Sequence, residues 1–186
     1  MTVTLLDPKT ALIVVDLQNG IVARPLAGPM ADVVANAVRL AGAFRARGLP
    51  VVLVNVAGAA PGRTEQPRVH RDLSPGWTDL IAELDRKPDD HVVTKHTPGA
   101  FTNTGLDALL RSLGVTQVVV AGVATSNGVE VTARQAYELG YNVTLATDAM
   151  TDAREGAHAY SLAQVFPRIG ETGTTAEVLG LLGARA

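Results

Sequence analysis

Short apolar runs alternate with stretches of helical periodicity along this chain. The runs are Ala11–Val15, Val51–Val56, His91–Thr94, Gln117–Ala121, Val143–Ala146 and a weaker one around Arg168–Gly170. Most are nearly continuous in Val, Ile and Leu, as strands buried on both faces require. Ala31–Arg47 sets Val34, Val38, Ala41 and Arg45 on one helical line, flanked by Val33, Ala37, Leu40 and Phe44, and stops at Gly48. Thr104–Leu113 carries Leu106, Leu109, Leu110 and Leu113 before Gly114, and Asn127–Leu139 and Asp152–Phe166 read the same way. Strands alternating with helices imply a parallel sheet, because each parallel connection needs a crossover. The pattern predicts a three-layer α/β/α domain, doubly wound around a mostly parallel six-stranded sheet.

One stretch breaks the rhythm. Gly58–Ser74 is rich in Pro, Gly, Arg and Thr and has no apolar period. It reads as a surface loop near the carboxyl edge of the sheet, serving as a lid or an oligomer contact. A terminal helix over Ala176–Leu182 offers an apolar face to a second copy, so a homo-oligomer is expected.

Composition narrows the function classes. With 186 residues, 47% of them hydrophobic, the chain is long enough for one domain, 1–186, with a full core. A net charge of −2 with scattered Lys and Arg argues against a nucleic-acid groove or a membrane-surface helix. No apolar run approaches the roughly 20 residues that span a bilayer. MTVTLLDPKT shows no basic stretch leading into an apolar one, so a cytoplasmic protein without a signal peptide is expected. The chain has no cysteine, which removes disulfides, thiolate metal sites and any thiol nucleophile.

In a doubly wound sheet reactive groups gather at the carboxyl ends of strands. Asp16 ends the first run and Lys95 follows the third. After the fourth, Gly122 opens a turn into a helix near Asn127, whose first N–H groups suit an anion or a polarised carbonyl. Taken singly these residues have plain roles as well: an Asp that starts a loop, a lysine that snorkels to the surface. Of the four histidines, His70, His91, His96 and His158, only His70 falls between the second and third runs, and it lacks the Asp-x-His spacing a metal would want, so no metal is predicted. Gly170–Gly173 lacks a strand–Gly-x-Gly-x-x-Gly–helix context, and no cofactor is predicted.

Residues 122–133, GVATSNGVEVTA, resemble the isochorismatase-like hydrolase superfamily, whose pattern here is roughly G-V-x-T-x-x-C-V-x-x-T-A. Gly122, Val123, Thr125, Val129, Thr132 and Ala133 match, and Gly128 stands at the position of the nucleophilic cysteine. The superfamily's D-x-Q block matches Asp16-Leu17-Gln18, and its Lys followed by a small residue and Phe matches Lys95 with Ala100-Phe101. The resemblance implies that Asp16 and Lys95 are catalytic, that Gln18, Phe101, Val123, Ala124, Asn127 and Gly128 line a small-molecule site, and that the Val123–Ala124 peptide is cis.

In cysteine-bearing members the resemblance implies amide hydrolysis through an acyl-enzyme, which needs a thiol. Ser126 lies two residues away with its side chain expected to point elsewhere, and Thr125 reads as a structural residue bonding the turn backbone. Isochorismatases proper also lack the cysteine and cleave a vinyl ether by acid–base hydrolysis. That chemistry is expected here, with Asp16 as proton donor if burial dominates, or as base for water if the Lys95 cation dominates. Arg63, Arg68 and Arg71 are candidate partners for an anionic substrate, and Trp77 and Phe101 for an apolar wall. Strand two ends Val56-Ala57-Gly58 where isochorismatases proper carry a Gln, and Ala124 stands in place of an aromatic residue, so the substrate stays open. The alternative is a non-catalytic binding or interaction protein that retains the hydrolase fold.

Overall fold

The computed structural model describes residues 2–25, 28–65 and 74–184. Six strands, β1 (Thr10–Val15), β2 (Val51–Val56), β3 (His91–Lys95), β4 (Gln117–Val123), β5 (Asn142–Thr151) and β6 (Glu171–Gly173), form one sheet in the order β3-β2-β1-β4-β5-β6. Every neighbouring pair is parallel. The helices are α1 (Asn19–Val22), α2 (Met30–Ala46), α3 (Leu106–Ser112), α4 (Glu130–Glu138), α5 (Glu155–Tyr160) and α6 (Thr175–Gly183).

Burial on both faces explains the unbroken apolar runs. Ala11, Ile13 and Val15 of β1 join a core with Leu106 and Leu110 of α3 and Ala133 and Ala136 of α4. Leu12 and Val14 point the other way, into Val33, Ala37, Leu40 and Phe44 of α2 and Val178 and Leu182 of α6. The expected three-layer α/β/α architecture is the one observed, and the strand order reverses between β1 and β4, where such folds place their sites.

Three expectations need correction. The sixth strand is Glu171–Gly173, downstream of the weak run at 168–170. Phe166–Arg168 instead make a 3₁₀ turn containing Pro167, and the Ile169 and Gly170 amides both bond the Phe166 carbonyl. The helix expected over Asp152–Phe166 is split into α5, a π-helical turn over Ser161–Val165, and that 3₁₀ turn. The apolar face of the terminal helix is covered within the chain: α6 packs on α2, with Leu182 buried and Leu179 and Leu181 half-buried in the same core.

β5 is longer than its apolar run because it makes an excursion. Leu145 lies opposite Val120, but the next pair with β4 is Met150 with Gly122. Between them Ala146 pairs with Gly173 of β6, and Asp148 Oδ1 accepts bonds from the Thr175 amide (2.6 Å) and hydroxyl (2.8 Å) at the start of α6.

Residues 58–65 follow β2 without regular structure and are mostly exposed, Arg63 included; Arg68, His70 and Arg71 lie outside the described residues. Among the described residues no helix is long and apolar enough to cross a membrane.

Candidate functional site

Asp16 is the first residue after β1 and has φ 53°, a left-handed conformation uncommon outside glycine and several-fold enriched in Asp. Backbone bonds fix it there: its amide donates to the Val54 carbonyl (2.8 Å), and its carbonyl accepts from the Gln18 amide (2.9 Å). Next to it Gly122 has φ 110°, and a β-carbon at that residue would lie 2.1 Å from the Val15 carbonyl oxygen. Only glycine lets β4 pass so close to the end of β1.

Lys95 ends β3 and is 1% exposed. Its Nζ donates to Asp16 Oδ2 at 2.8 Å, a buried ion pair.

The chain leaves β4 through a cis peptide between Val123 and Ala124. A π-helical turn over Thr125–Val129 follows and runs into α4, so the helical path opens earlier than the expected start at Asn127. The Asn127 and Val129 amides both donate to the Ala124 carbonyl, at 3.0 and 3.2 Å. Gly128, buried in this turn, faces the ion pair. A β-carbon on it would lie 3.0 Å from Val15 Cγ1, 3.1 Å from the Val123 carbonyl oxygen and 3.2 Å from Asp16 Oδ2. The Thr132 hydroxyl donates to the Gly128 carbonyl (2.6 Å) and accepts from the Ala100 amide (3.1 Å), tying the turn to the loop beyond Lys95.

The structure thus brings Asp16, Lys95, Val123 and Gly128 together. Other expected site residues sit in the framework around them. Gln18 is wholly buried; its Oε1 accepts from the Val56 amide (2.7 Å), and its Nε2 donates to the Val56 and Trp77 carbonyls (3.2 Å each). The Phe101 ring packs on the core 6.0 Å from the Tyr141 ring, and its amide donates to Gln135 Oε1 (3.1 Å). Ala124 is half-buried and Asn127 exposed. The half-buried Trp77 ring lies on Gly20, where a β-carbon would come within 2.1 Å of Nε1, and the Arg24 guanidinium carbon is 6.0 Å from the ring centre. His96 is exposed, and His91 is half-buried at the start of the edge strand. Among the described residues no group of three or more His, Asp or Glu side chains could hold a metal ion.

Two further residues, neither of which the sequence reading places at the site, grip the turn from behind. Asp152 Oδ2 accepts from the Ser126 amide and hydroxyl, both at 2.7 Å, and the Thr125 hydroxyl lies 2.8 Å from His158 Nδ1. Ser126 therefore points away, as expected, whereas Thr125 bonds His158 rather than the turn backbone. Burial pushes the Asp152 carboxyl up, but the bonds from Ser126 and the Arg154 amide, with the Arg154 charge, together bring it below its ordinary value. Burial holds His158 below its ordinary value, partly opposed by the Asp152 charge.

The isochorismatase domain family matches residues 10–177. The chain is 39% identical over 178 residues to the uncharacterized isochorismatase family protein YwoC of Bacillus subtilis, covering 92% of this chain and 93% of that one. It is 31% identical over 175 residues to the ureidoacrylate amidohydrolase RutB of Pseudomonas syringae, covering 78% and 71%. Its fold superposes on that of an isochorismatase family protein from Burkholderia thailandensis with a TM-score of 0.92 and 44% identity, over 96% and 98% of the two chains.

Proposed function

The chain belongs to the isochorismatase family, and from that premise we propose that it hydrolyses a small carboxylate-bearing substrate by acid–base chemistry at Asp16 and Lys95, with a vinyl ether of the isochorismate type as the bond cleaved. One observation carries this reading. At the place where a β-carbon would lie 3.2 Å from Asp16 Oδ2 stands Gly128, and the chain has no cysteine. A covalent thiol route has no nucleophile here, which leaves the buried Asp16–Lys95 pair as the groups able to move a proton.

Vinyl-ether hydrolysis makes two demands on Asp16. With the substrate carboxylate taking up the Lys95 charge, the buried Asp16 carboxyl gains a proton from solvent and transfers it to the terminal methylene carbon, and positive charge spreads onto the ether oxygen. The resulting carboxylate then takes a proton from the water whose oxygen bonds the cationic carbon. The hemiketal so formed gives its hydroxyl proton to the departing alcohol oxygen, releasing alcohol and a 2-keto acid. General acid–base assistance of this kind contributes about 10²–10⁴-fold. Lys95 orients Asp16 through the 2.8 Å bond and supplies a cation toward the substrate carboxylate.

Likeness to an amidohydrolase supports a second reading. There Asp16 starts as the carboxylate, takes a proton from water attacking the amide carbon, and returns it to the leaving nitrogen. The two readings start from opposite protonation states.

The deciding experiment is pyruvate release from isochorismate by the purified protein, with Asp16→Asn as control. Pyruvate is expected, falling at least about a hundredfold in the variant, with a rate that declines as pH rises. No pyruvate from folded protein overturns the vinyl-ether reading. Turnover of small amides that rises with pH then selects the second reading, and inertness toward both selects a binding protein.

A further inference from the structure

Thr125 is wholly buried and Ser126 half-buried, and neither hydroxyl is directed at Asp16; both are spent on the connection that follows β5. Asp152, 3% exposed, is the first residue of that connection, and His158 lies on α5. Just beyond α5, the Ser161 hydroxyl donates to Glu130 Oε2 (2.7 Å) at the first residue of α4. The same piece of chain therefore holds both ends of the turn over Thr125–Val129.

We propose that His158, acting through Thr125, and Asp152, acting through Ser126, are positioning residues that set Gly128 against Asp16. The proposal rests on the Asp16–Gly128 site described above and adds to it the residues that fix its dimensions. Gly128 lies three positions beyond Thr125, within one helical turn, so a small rotation of that turn displaces it. A β-carbon built on Gly128 would lie 3.2 Å from Asp16 Oδ2, so a rotation of the turn directly changes what stands beside that carboxyl. A misplacement of about 1 Å at a reacting centre can cost on the order of a hundredfold in rate. His158 and Asp152 touch neither Asp16 nor Lys95 among the bonds described, so their effect is expected on turnover rather than on substrate affinity.

The test pairs partners. Thr125→Val and His158→Leu each remove one end of the same bond, as Ser126→Ala and Asp152→Ala do for the hydroxyl bond on the neighbouring residue. Each is expected to lower kcat about tenfold to a hundredfold with KM within about twofold. Each double variant should be no worse than its poorer single, the signature of a shared interaction. His158→Asn, which places an amide near the Nδ1 position, should recover most of the turnover. A second readout needs no substrate: the Gly128 amide resonance should shift in His158→Leu and return toward its original position in His158→Asn. If the wild-type protein hydrolyses nothing, the functional reading fails and that resonance still decides the positioning. Additive losses, or lowered thermal stability with an unmoved Gly128 resonance, overturn the proposal.

Discussion

Lys95 Nζ reaches Asp16 Oδ2 across the end of an intervening strand. β3 and β1 are separated by β2, two strand spacings or about 10 Å, yet the two atoms lie 2.8 Å apart with side chains 2% and 9% exposed. Only a long side chain can make that contact across the end of β2. Removing one partner of a buried ion pair leaves the other charge out of water, which costs about 3–5 kcal/mol. Lys95→Met is therefore expected to destabilise the protein by about that amount in urea unfolding. Lys95→Met combined with Asp16→Asn should recover a large part, because no charge then remains stranded.

Gly128→Cys tests what the missing side chain does. The backbone there is not left-handed, so a β-carbon is conformationally allowed. Contacts of 3.0–3.2 Å make the fit tight, and overpacking of this kind costs about 1–3 kcal/mol. The expected outcome is a folded protein whose new thiol, beside Asp16, forms an acyl-enzyme with a small amide or activated ester. Intact-mass spectrometry during turnover reads the adduct directly. An unmodified mass with folded protein would show that more than the nucleophile separates this site from an amidase.

Acid should weaken the fold in two steps. His158 titrates below its ordinary value of 6.5, so the fold favours its neutral form. Its contribution is full above that pH and is lost as pH falls through the depressed value. Asp152 titrates below its ordinary 3.8, so its contribution is full above that pH and is lost at still lower pH. Unfolding midpoints measured from pH 8 to about pH 3 should show both declines, with His158→Asn removing the upper and Asp152→Asn reducing the lower, to which Asp107, Glu171 and Glu177, each also held below its ordinary value by hydrogen bonds, contribute as well.

Two glycines should respond oppositely to an added methyl group. At Gly122, φ is 110° and a β-carbon would meet the Val15 carbonyl oxygen at 2.1 Å, so Gly122→Ala is expected to cost on the order of 4 kcal/mol or to prevent folding. Gly42, exposed in α2, has nothing within 4 Å of such an atom. Gly42→Ala should stabilise by about 1 kcal/mol through helix propensity. Thermal melts of the two variants give the comparison.

What the sequence reveals follows from where the information is local. β1, β2 and β4 announce themselves because burial on both faces demands consecutive apolar residues, and α2 because its buried line recurs every three or four positions. β6 is Glu-Thr-Gly and carries no such mark; β5 and Val3 recruit it, not its own hydrophobicity. The second half of β5 is hidden for a related reason, since Asp148 is polar in order to cap α6. At the candidate site, Asp16 and Lys95 stand at strand ends readable from pattern, but each has a plain role taken singly, and it is the resemblance of the Asp16-Leu17-Gln18 and Lys95…Ala100-Phe101 blocks that marks them out. Asp152 and His158 are not, because their partners lie 26 and 33 positions away and no spacing rule links them. Gln18 and Phe101 show the converse: a motif position can be kept for holding strands and loops in place.

The excursion of β5 places two distant parts of the molecule under one length. Before it returns to β4 the strand has already met β6 and capped α6; after returning it delivers Asp152 to Ser126. Losing or gaining one residue between Ala146 and Ala149 would turn every following side chain of the strand to the opposite face. Such a change would take away the cap on the start of α6, or the grip behind Gly128, or both. Natural variation in chain length should therefore avoid these four positions, even where substitutions at them are accepted.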